Sequence, residues 1–417
     1  MKKLLLFLGS STMILAPVAN IVSCGDSNKF IINLTPVKDP IETEKAMKPL
    51  EGKLQSKMKE IDPNFNKSVS IKMTESYENS AESLKSGTSD LGFLPINAYE
   101  SFRGDLVENG THKDLGVLSF ATKYANKGET NFEDFIDIST KKYSDIEAGK
   151  YEFGKEDKAI KLANHYNKYV KENVIDKNVQ TSDDLTTALT DTENYTSHYR
   201  SYVYANTNFV KETLKNSDLN NLTHAYVKTL IDKAMEIGKD GKNGIALNKS
   251  VTSSSGTLYP LSWLQETLGY DDLAIKEIYT NKQTYDGSGG TAEGITSGKF
   301  NIAFNFEDVR STKIEEGNHD VFEKSMIIGT TYAIPNDGLI YSRKNVDESM
   351  ANNLRKAFSE LVADKENDNI FGFYGAKSYT QPEKDQSTAD FEKHNDSVAD
   401  NNLLKISHIK ELLKELN

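Results

Sequence analysis

The first hundred residues alternate between two hydrophobic periods, and this alternation restricts the fold more than any other feature. Phe30-Ile31-Ile32-Asn33-Leu34 is an apolar run of strand length. Met47, Leu50, Leu54, Met58 and Ile61 recur at spacings of 3, 4, 4 and 3, the apolar stripe of one helix. Pro49 fits only near the start of that helix, and Asp62-Pro63 stops it. Val69, Ile71 and Met73 alternate with polar residues, as in a half-buried strand. A helix from about Ser80 carries Leu84 and ends at Gly87, and Leu91-Gly92-Phe93-Leu94 reads as a short buried strand. Strand, helix, strand, helix, strand predicts an α/β sheet with parallel strands.

A second unit of the same kind follows. Tyr199–Tyr204, Gly244–Leu247 and Asn301–Phe306 read as strands. Helices are predicted over Leu222–Ile237, around Leu258, Leu261, Leu264 and Leu268, and over Thr291–Ser297, the last ended by Gly298. Between the units, residues 126–194 are rich in Lys, Asp, Glu, Asn and Thr, and Ala159–Val174 reads as helix. This stretch is expected to be a largely helical insertion on the surface. Near the end, Met350, Leu354, Phe358 and Leu361 mark another helical stripe, and Leu404, Ile409, Leu412 and Leu416 a final helix. The chain shows no internal repeat. Its 417 residues suffice for two cores, and two α/β units with a crevice between them make a ligand clamp.

The formal net charge is −12 and no basic block occurs, which argues against a nucleic-acid partner. An acidic carrier of an anion must bind it with local donors. Cys24 is the single cysteine, so an intrachain disulfide and a cysteine metal cluster are excluded. Ahead of it stand Lys2 and Lys3, then the apolar runs Leu4–Leu8 and Met13–Val18, then Ile21-Val22-Ser23. That is the order of a secretory signal. Ile21-Val22-Ser23-Cys24 resembles the bacterial lipobox, in which the thiol is lipidated (a palmitate-type anchor) and becomes the new N-terminus. An uncleaved anchor with a bystander cysteine is the other reading. Removing two lysines gives a mature charge of −12 − 2 = −14. Two acyl chains anchor stably where one does not, and no second apolar span follows. The expected location is the extracellular face of the cell membrane.

Val251-Thr252-Ser253-Ser254-Ser255-Gly256-Thr257 follows a predicted strand and opens a predicted helix. Free N–H groups at a helix start, serine hydroxyls and a glycine suit a phosphate, sulfate or phosphonate; a plain serine N-cap fits the same residues. Asp286-Gly287-Ser288-Gly289-Gly290-Thr291 also precedes a helix but lacks the lysine of a nucleotide-binding loop. Tyr77 precedes a helix, Tyr99 follows a strand, and Asp308 and Asp337 follow strands. There is no Gly-x-Ser-x-Gly elbow and no His-x-x-x-His pair. The chain therefore reads as a non-enzyme without cofactor or metal.

Taken in order, these stretches resemble the phosphonate/phosphate-type (PhnD-like) substrate-binding proteins of ABC importers. The resemblance rests on Leu34-Thr35-Pro36 through Pro49-Leu50, and on Tyr77 through Gly87-Thr88-Ser89-Asp90 and Leu91–Pro95 to Tyr99. It rests also on Ser253–Pro260, and on Gly298 through Asp308-Val309-Arg310 to Ile334–Asp337. It covers about residues 30–100 and 195–345. It implies a type-2 periplasmic-binding-protein fold, two α/β lobes with a hinge and an interlobe ligand cleft. It also implies ligand contacts from Tyr77 and Tyr99, then Ser253, Ser254, Ser255 and Thr257 on the anion, with Asp308 and Asp337 at the far, often amine-bearing end. Ser288 stands where the family often has a histidine, which widens the site.

The implied boundaries are a signal peptide over 1–23, a tether over 24–29, a first lobe over 30–125, the insertion over 126–194, a second lobe over 195–309 and a return to the first lobe over 310–417. The implied partners are a small anionic solute, the permease and ATPase subunits, and the membrane through the lipid. Cell-surface lipoproteins of wall-less bacteria that resemble this family are associated with thiamine or its phosphates, so thiamine or thiamine phosphate is an alternative ligand. A surface adhesin using residues 126–194 and a secreted hydrolase are further alternatives.

Overall fold

Phe30, Ile32 and Leu34 are fully buried, and their strand, β1 (Lys29–Leu34), lies inside the first sheet. The structure is a computed structural model. It describes residues 28–35, 40–108, 110–130, 158–215, 218–241, 243–285, 287–306 and 308–416. The leader segment, Cys24 and Asp286 lie outside the described residues. β1 pairs in parallel with β2 (Ser68–Met73) and β3 (Leu91–Leu94), so the alternating pattern does produce parallel strands. β4 (Leu115–Asn126), β13 (Gly338–Ser342) and β14 (Ser378–Tyr379) complete the order β14-β4-β13-β3-β1-β2, and β5 (Thr190–Thr196) adds to β4. β13 runs antiparallel to both neighbours, β3 and β4. The expected helix from Met47 to Ile61 is two helices, Pro40–Met47 and Leu50–Ile61, because Pro49 cannot donate a helical hydrogen bond.

The second sheet has the order β11-β7-β10-β8-β9, with β7 at Ser201–Asn206, β8 at Ile245–Asn248, β9 at Gln283–Tyr285, β10 at Ile302–Phe306 and β11 at Ser325–Thr330. Trp263 is fully buried and meets Phe304 edge-on at 6.3 Å. The insertion is not a surface appendage. Helix Lys158–Val170 buries Ala159, Ile160, Leu162, Ala163 and Tyr166, and these residues share apolar cores with the second sheet. Helix Ser182–Leu189 and β5 then return the chain to the first sheet.

Two segments cross side by side between the lobes. β6 (His198–Tyr199) pairs antiparallel with β12 (Ile334–Pro335), Ile334 opposite Tyr199 and Pro335 opposite His198. The Asn336 carboxamide donates to the carbonyls of Ala121 (2.9 Å) and Thr196 (3.2 Å), and its N–H donates to Ser197 (2.8 Å).

A further link is the C-terminal helix Thr388–Lys414, started by Ser387, whose hydroxyl accepts from the Asp390 N–H. Its first half contacts the first lobe through buried polar groups: Glu392 accepts from Tyr341 (2.8 Å), Asn395 donates to Val117 (3.2 Å) and Asp396 accepts from Tyr99. Its second half places Ile406, Ile409, Leu412 and Leu413 in the core of the second lobe. The expected stripe is therefore offset. Leu404 is exposed, and the inward positions run 391, 395, 398, 402, 406, 409 and 413.

At the handover Asn402 donates to Asn97 (3.2 Å) and to Glu100 (2.7 Å), and Lys410 donates to Glu100 at 3.3 Å. Burial raises the Glu100 carboxyl to about 7, against the opposing pull of Lys410, Asn402 and Arg103. The folded state holds this proton more tightly than the unfolded chain. Stability should therefore fall as pH rises from the ordinary carboxyl value to about 7 and level off above it. Glu100→Gln should flatten the urea-unfolding stability profile over that window by a few kcal/mol. An unchanged profile would mean that Glu100 does not titrate there.

Candidate functional site

The serine-rich loop leaves β8 and winds into a π-helical turn, Ser254–Leu258, which runs on into helix Tyr259–Glu266. Ser253 caps the turn, its hydroxyl accepting from the Gly256 N–H at 3.2 Å. Gly256 is required by space: a Cβ there would lie 2.4 Å from the Asn248 Cβ. The N–H groups of Ser254 and Ser255 open the turn, where a helix has no acceptor of its own to offer. The partial positive charge of a helix start lies at the same place.

The loop faces the first lobe directly. Asn97 donates its side-chain amide to the Ser254 hydroxyl oxygen at 2.5 Å, and the Thr252 hydroxyl meets Glu78 at 3.5 Å. Glu78 neighbours Tyr77 in the first turn of helix Tyr77–Ser86, which is capped by Ser76. On the lobe-2 side Ser201 donates to the Ser255 carbonyl at 2.5 Å, tying the loop to the start of β7. Ser288 stands half-buried in the opening turn of helix Gly287–Thr296.

A second group of side chains gathers around Asp337, just after β12. Burial raises the Asp337 carboxyl, and Lys123 nearby opposes that rise. Burial also pushes the Tyr77 hydroxyl well up, with Asp337, Tyr374 and Tyr199 adding to it. Tyr77 and Tyr374 thus lie within electrostatic reach of Asp337, and Tyr199 lies within reach of Tyr77. Tyr374 is fixed by its hydroxyl on the Thr35 carbonyl (3.0 Å) and by stacking on Phe93 at 5.4 Å. Tyr199 meets the partly exposed Phe306 edge-on at 6.3 Å. The cleft therefore offers neutral donors at one place and an aromatic-lined carboxylate at another.

Three expected contacts stand elsewhere. Tyr99 has no exposed surface, and its hydroxyl donates to Asp396 of the C-terminal helix. Thr257 is also fully buried and gives its hydroxyl to the Ser250 carbonyl at 2.9 Å. Asp308 is forked onto Arg310 (2.8 and 2.7 Å) and accepts from Tyr166 at 2.9 Å, so both its oxygens are occupied. Asn97, Tyr199, Tyr374 and Lys123 were missed. Asn97 lies two residues before Tyr99 on helix Ile96–Phe102, and a two-residue step turns a side chain to the opposite side of a helix. The chain order pointed to the right helix and the wrong face. Among the described residues no group of three His, Cys, Asp or Glu side chains could hold a metal ion, and no helix is long and apolar enough to cross a membrane.

Two α/β lobes joined by a short strand pair form a fold of the periplasmic-binding-protein type. Residues 192–387 match the sequence model of the family described as ABC transporter, phosphonate, periplasmic substrate-binding protein. The fold is similar to that of Mh-p37 from Mycoplasma hyorhinis, described as a proposed thiamine pyrophosphate transporter, at a TM-score of 0.58 and 13% identity over 89% of this chain and 98% of that one. It is also similar to PhnD1 from Prochlorococcus marinus in complex with methylphosphonate, at a TM-score of 0.50 and 13% identity over 91% of this chain and 100% of that one. No curated protein sequence matches the chain.

The two acids differ in environment, so they should differ in effect. Asp308→Asn should lower stability by about 3–5 kcal/mol, the cost of leaving a buried Arg310 without its charge partner. It should leave methylphosphonate affinity within a factor of about two at temperatures where the variant is folded. Thermal unfolding and calorimetric titration measure the two quantities. A selective loss of affinity at unchanged stability would return Asp308 to the ligand site.

Proposed function

We propose that the chain is the extracytoplasmic, lipid-anchored receptor of an ABC importer, that it captures a small phosphonate- or phosphate-bearing solute between its lobes, and that it hands the solute to a permease. The observation that carries this reading is the serine turn. Its Ser254 hydroxyl meets Asn97 of the first lobe, beside the N–H groups with which the turn begins. An anion there accepts from Ser254 and Ser255 and is stabilised by the turn's dipole without any lysine or arginine. Ser253 also shapes the loop, because its hydroxyl oxygen accepts from the Gly256 N–H, and like Ser254 it keeps an O–H to donate. Function is by binding and release, with the β6–β12 pair as the pivot. Anchoring rests on Cys24 and its resemblance to the lipobox.

Tyr77 and Tyr374 near Asp337 support a second, narrower reading, in which the solute carries a positive charge at its far end. A cation against aromatic faces and a carboxylate of low solvation is stabilised by both. Thiamine and thiamine phosphates meet that description, as do aminoalkylphosphonates.

Calorimetric titration of the chain from Gly25 onward, with phosphate, methylphosphonate, aminoethylphosphonate, thiamine and thiamine phosphates, tests both readings. Ser254→Ala and Ser255→Ala should each weaken the anionic solutes about tenfold to a hundredfold, the range for hydrogen bonds to a charged group. Unchanged affinity in both variants would remove the serine turn from the site. Asp337→Asn should weaken cationic solutes by at least about tenfold and spare methylphosphonate. Equal losses for both classes would instead make Asp337 a structural group.

A further inference from the structure

A cavity of about 410 Å³ lies beside the cleft, between insertion helix Ser182–Leu189, the hinge strand β6 and the loop before β14. Its volume falls within the roughly 300–1,000 Å³ of pockets that hold whole small molecules. It shares Tyr199 and Lys123 with the group around Asp337, so cavity and cleft adjoin.

Its charge differs from that of the protein around it. The lining acids are Glu129 and Asp308, and each has a cation of its own: Arg200 stands 3.6 Å from Glu129, and Arg310 forks onto Asp308. Lys123 and Lys377 remain as the further cations of the lining. The Lys377 ammonium lies over the Tyr124 ring at 5.4 Å and has no carboxylate partner among the described residues. Tyr124 in turn lies against Tyr195 at 5.3 Å. Opposite stands the insertion helix, with Leu185 and Leu189 on the apolar side and the hydroxyls of Ser182 and Thr186 beside them. In a chain of net charge −12, a basic cavity with one aromatic and one aliphatic wall selects for a negative group carried on an apolar body.

We propose that this cavity is a second compartment of the solute site, built by the insertion, and that it receives the distal anionic group of a solute larger than a simple phosphonate. The inference rests on the proposed capture of a phosphonate or phosphate head in the cleft. The head sits at the serine turn, the body passes Tyr199, and the distal anion meets Lys377. A lid role for the insertion helix is not needed; its inner face is simply part of the wall.

The test is calorimetric titration of the chain with methylphosphonate, with pyrophosphate and with ω-carboxyalkylphosphonates of graded spacer length. In the parent chain a carboxyalkylphosphonate of matching length should bind more tightly than methylphosphonate. Lys377→Gln should weaken that compound about tenfold, the value of one charged hydrogen bond, and leave methylphosphonate unchanged. Lys377→Arg should restore most of the loss. Thr186→Trp, at an exposed position on the cavity side of the insertion helix, should fill the space and give the same selective loss without touching a charge. The proposal is overturned if no spacer length binds more tightly than methylphosphonate, or if both variants leave the long compounds unaffected. It is also overturned if the variants weaken methylphosphonate equally. Failure of every compound, methylphosphonate included, removes the cleft reading and this proposal with it, whereas binding of methylphosphonate alone removes only the second compartment.

Discussion

The pairing of β6 with β12, held by the Asn336 carboxamide, is the constraint on which the rest of the molecule depends. Two short strands carry the chain out of the first lobe and back into it. Neither is long enough to be stable as an isolated ribbon. Their backbone groups are buried, and a buried donor or acceptor left unmade costs about 1–3 kcal/mol. Asn336 meets this demand by binding carbonyls of β4 and of the chain just before β6 at once. The crossing is therefore fixed to the first sheet, and Tyr199 and Asp337 take their places from it. The C-terminal helix adds a different kind of link. It spans both lobes as one rigid element, polar where it meets the first and apolar where it enters the second. Motion between the lobes must bend this helix or slide one of its two faces, and the polar face has the more easily exchanged contacts.

An acidic protein that binds an anion faces a contradiction only at long range. At physiological salt the field of its surface charges fades over about 8 Å, so it does little inside a cleft. In the proposed site what acts at contact distance is the start of the serine turn, whose first N–H groups have no helical carbonyl before them. These donors are neutral and fixed by Ser253 and by the tight space around Gly256. They bind without paired charges that would themselves require desolvation. The acids nearby are sorted by environment. Asp308 is consumed by Arg310, whereas Asp337 is held at low solvation near tyrosines, where a positive group would lower its energy most.

The parts of this arrangement that were legible in sequence are those that rest on local periodicity. Leu50, Leu54 and Met58 are buried because one face of one helix meets the sheet, and the stripe announces that face. The serine turn was legible because helix-start chemistry is also local. The C-terminal helix was legible at Ile409 and Leu412 but not at its exposed Leu404 or along its first half, where the inward face includes Glu392, Asn395, Asp396 and Asn402, which carry no hydrophobic signal. Tyr99 and Asn97 could not be ranked without knowing which side of their helix meets the second lobe. Asp308 and Arg310, two residues apart, announce a local ion pair, and that local signal outweighs chain order. The gathering of Tyr77 and Tyr374 near Asp337 joins residues far apart in the chain, and no window of sequence contains it.

The insertion joins the same two levels. Helix Lys158–Val170 is fused to the second lobe, with Asn167 bridging to the backbone of Ile327 through both its donor and its acceptor. Tyr166 of the same helix completes the hydrogen bonding of Asp308. Removing residues 126–194 as a block would therefore strip apolar cover from β11 and leave a buried ion pair short of a partner, so loss of binding in such a deletion would report unfolding before it reported function. Helix Ser182–Leu189 is different. It buries Leu185 and Leu189 but presents Ser182 and Thr186 to the cavity, and its outer residues are exposed. The structural role of the insertion and its proposed binding role thus fall on separate helices, and substitutions on the cavity side of the second distinguish them.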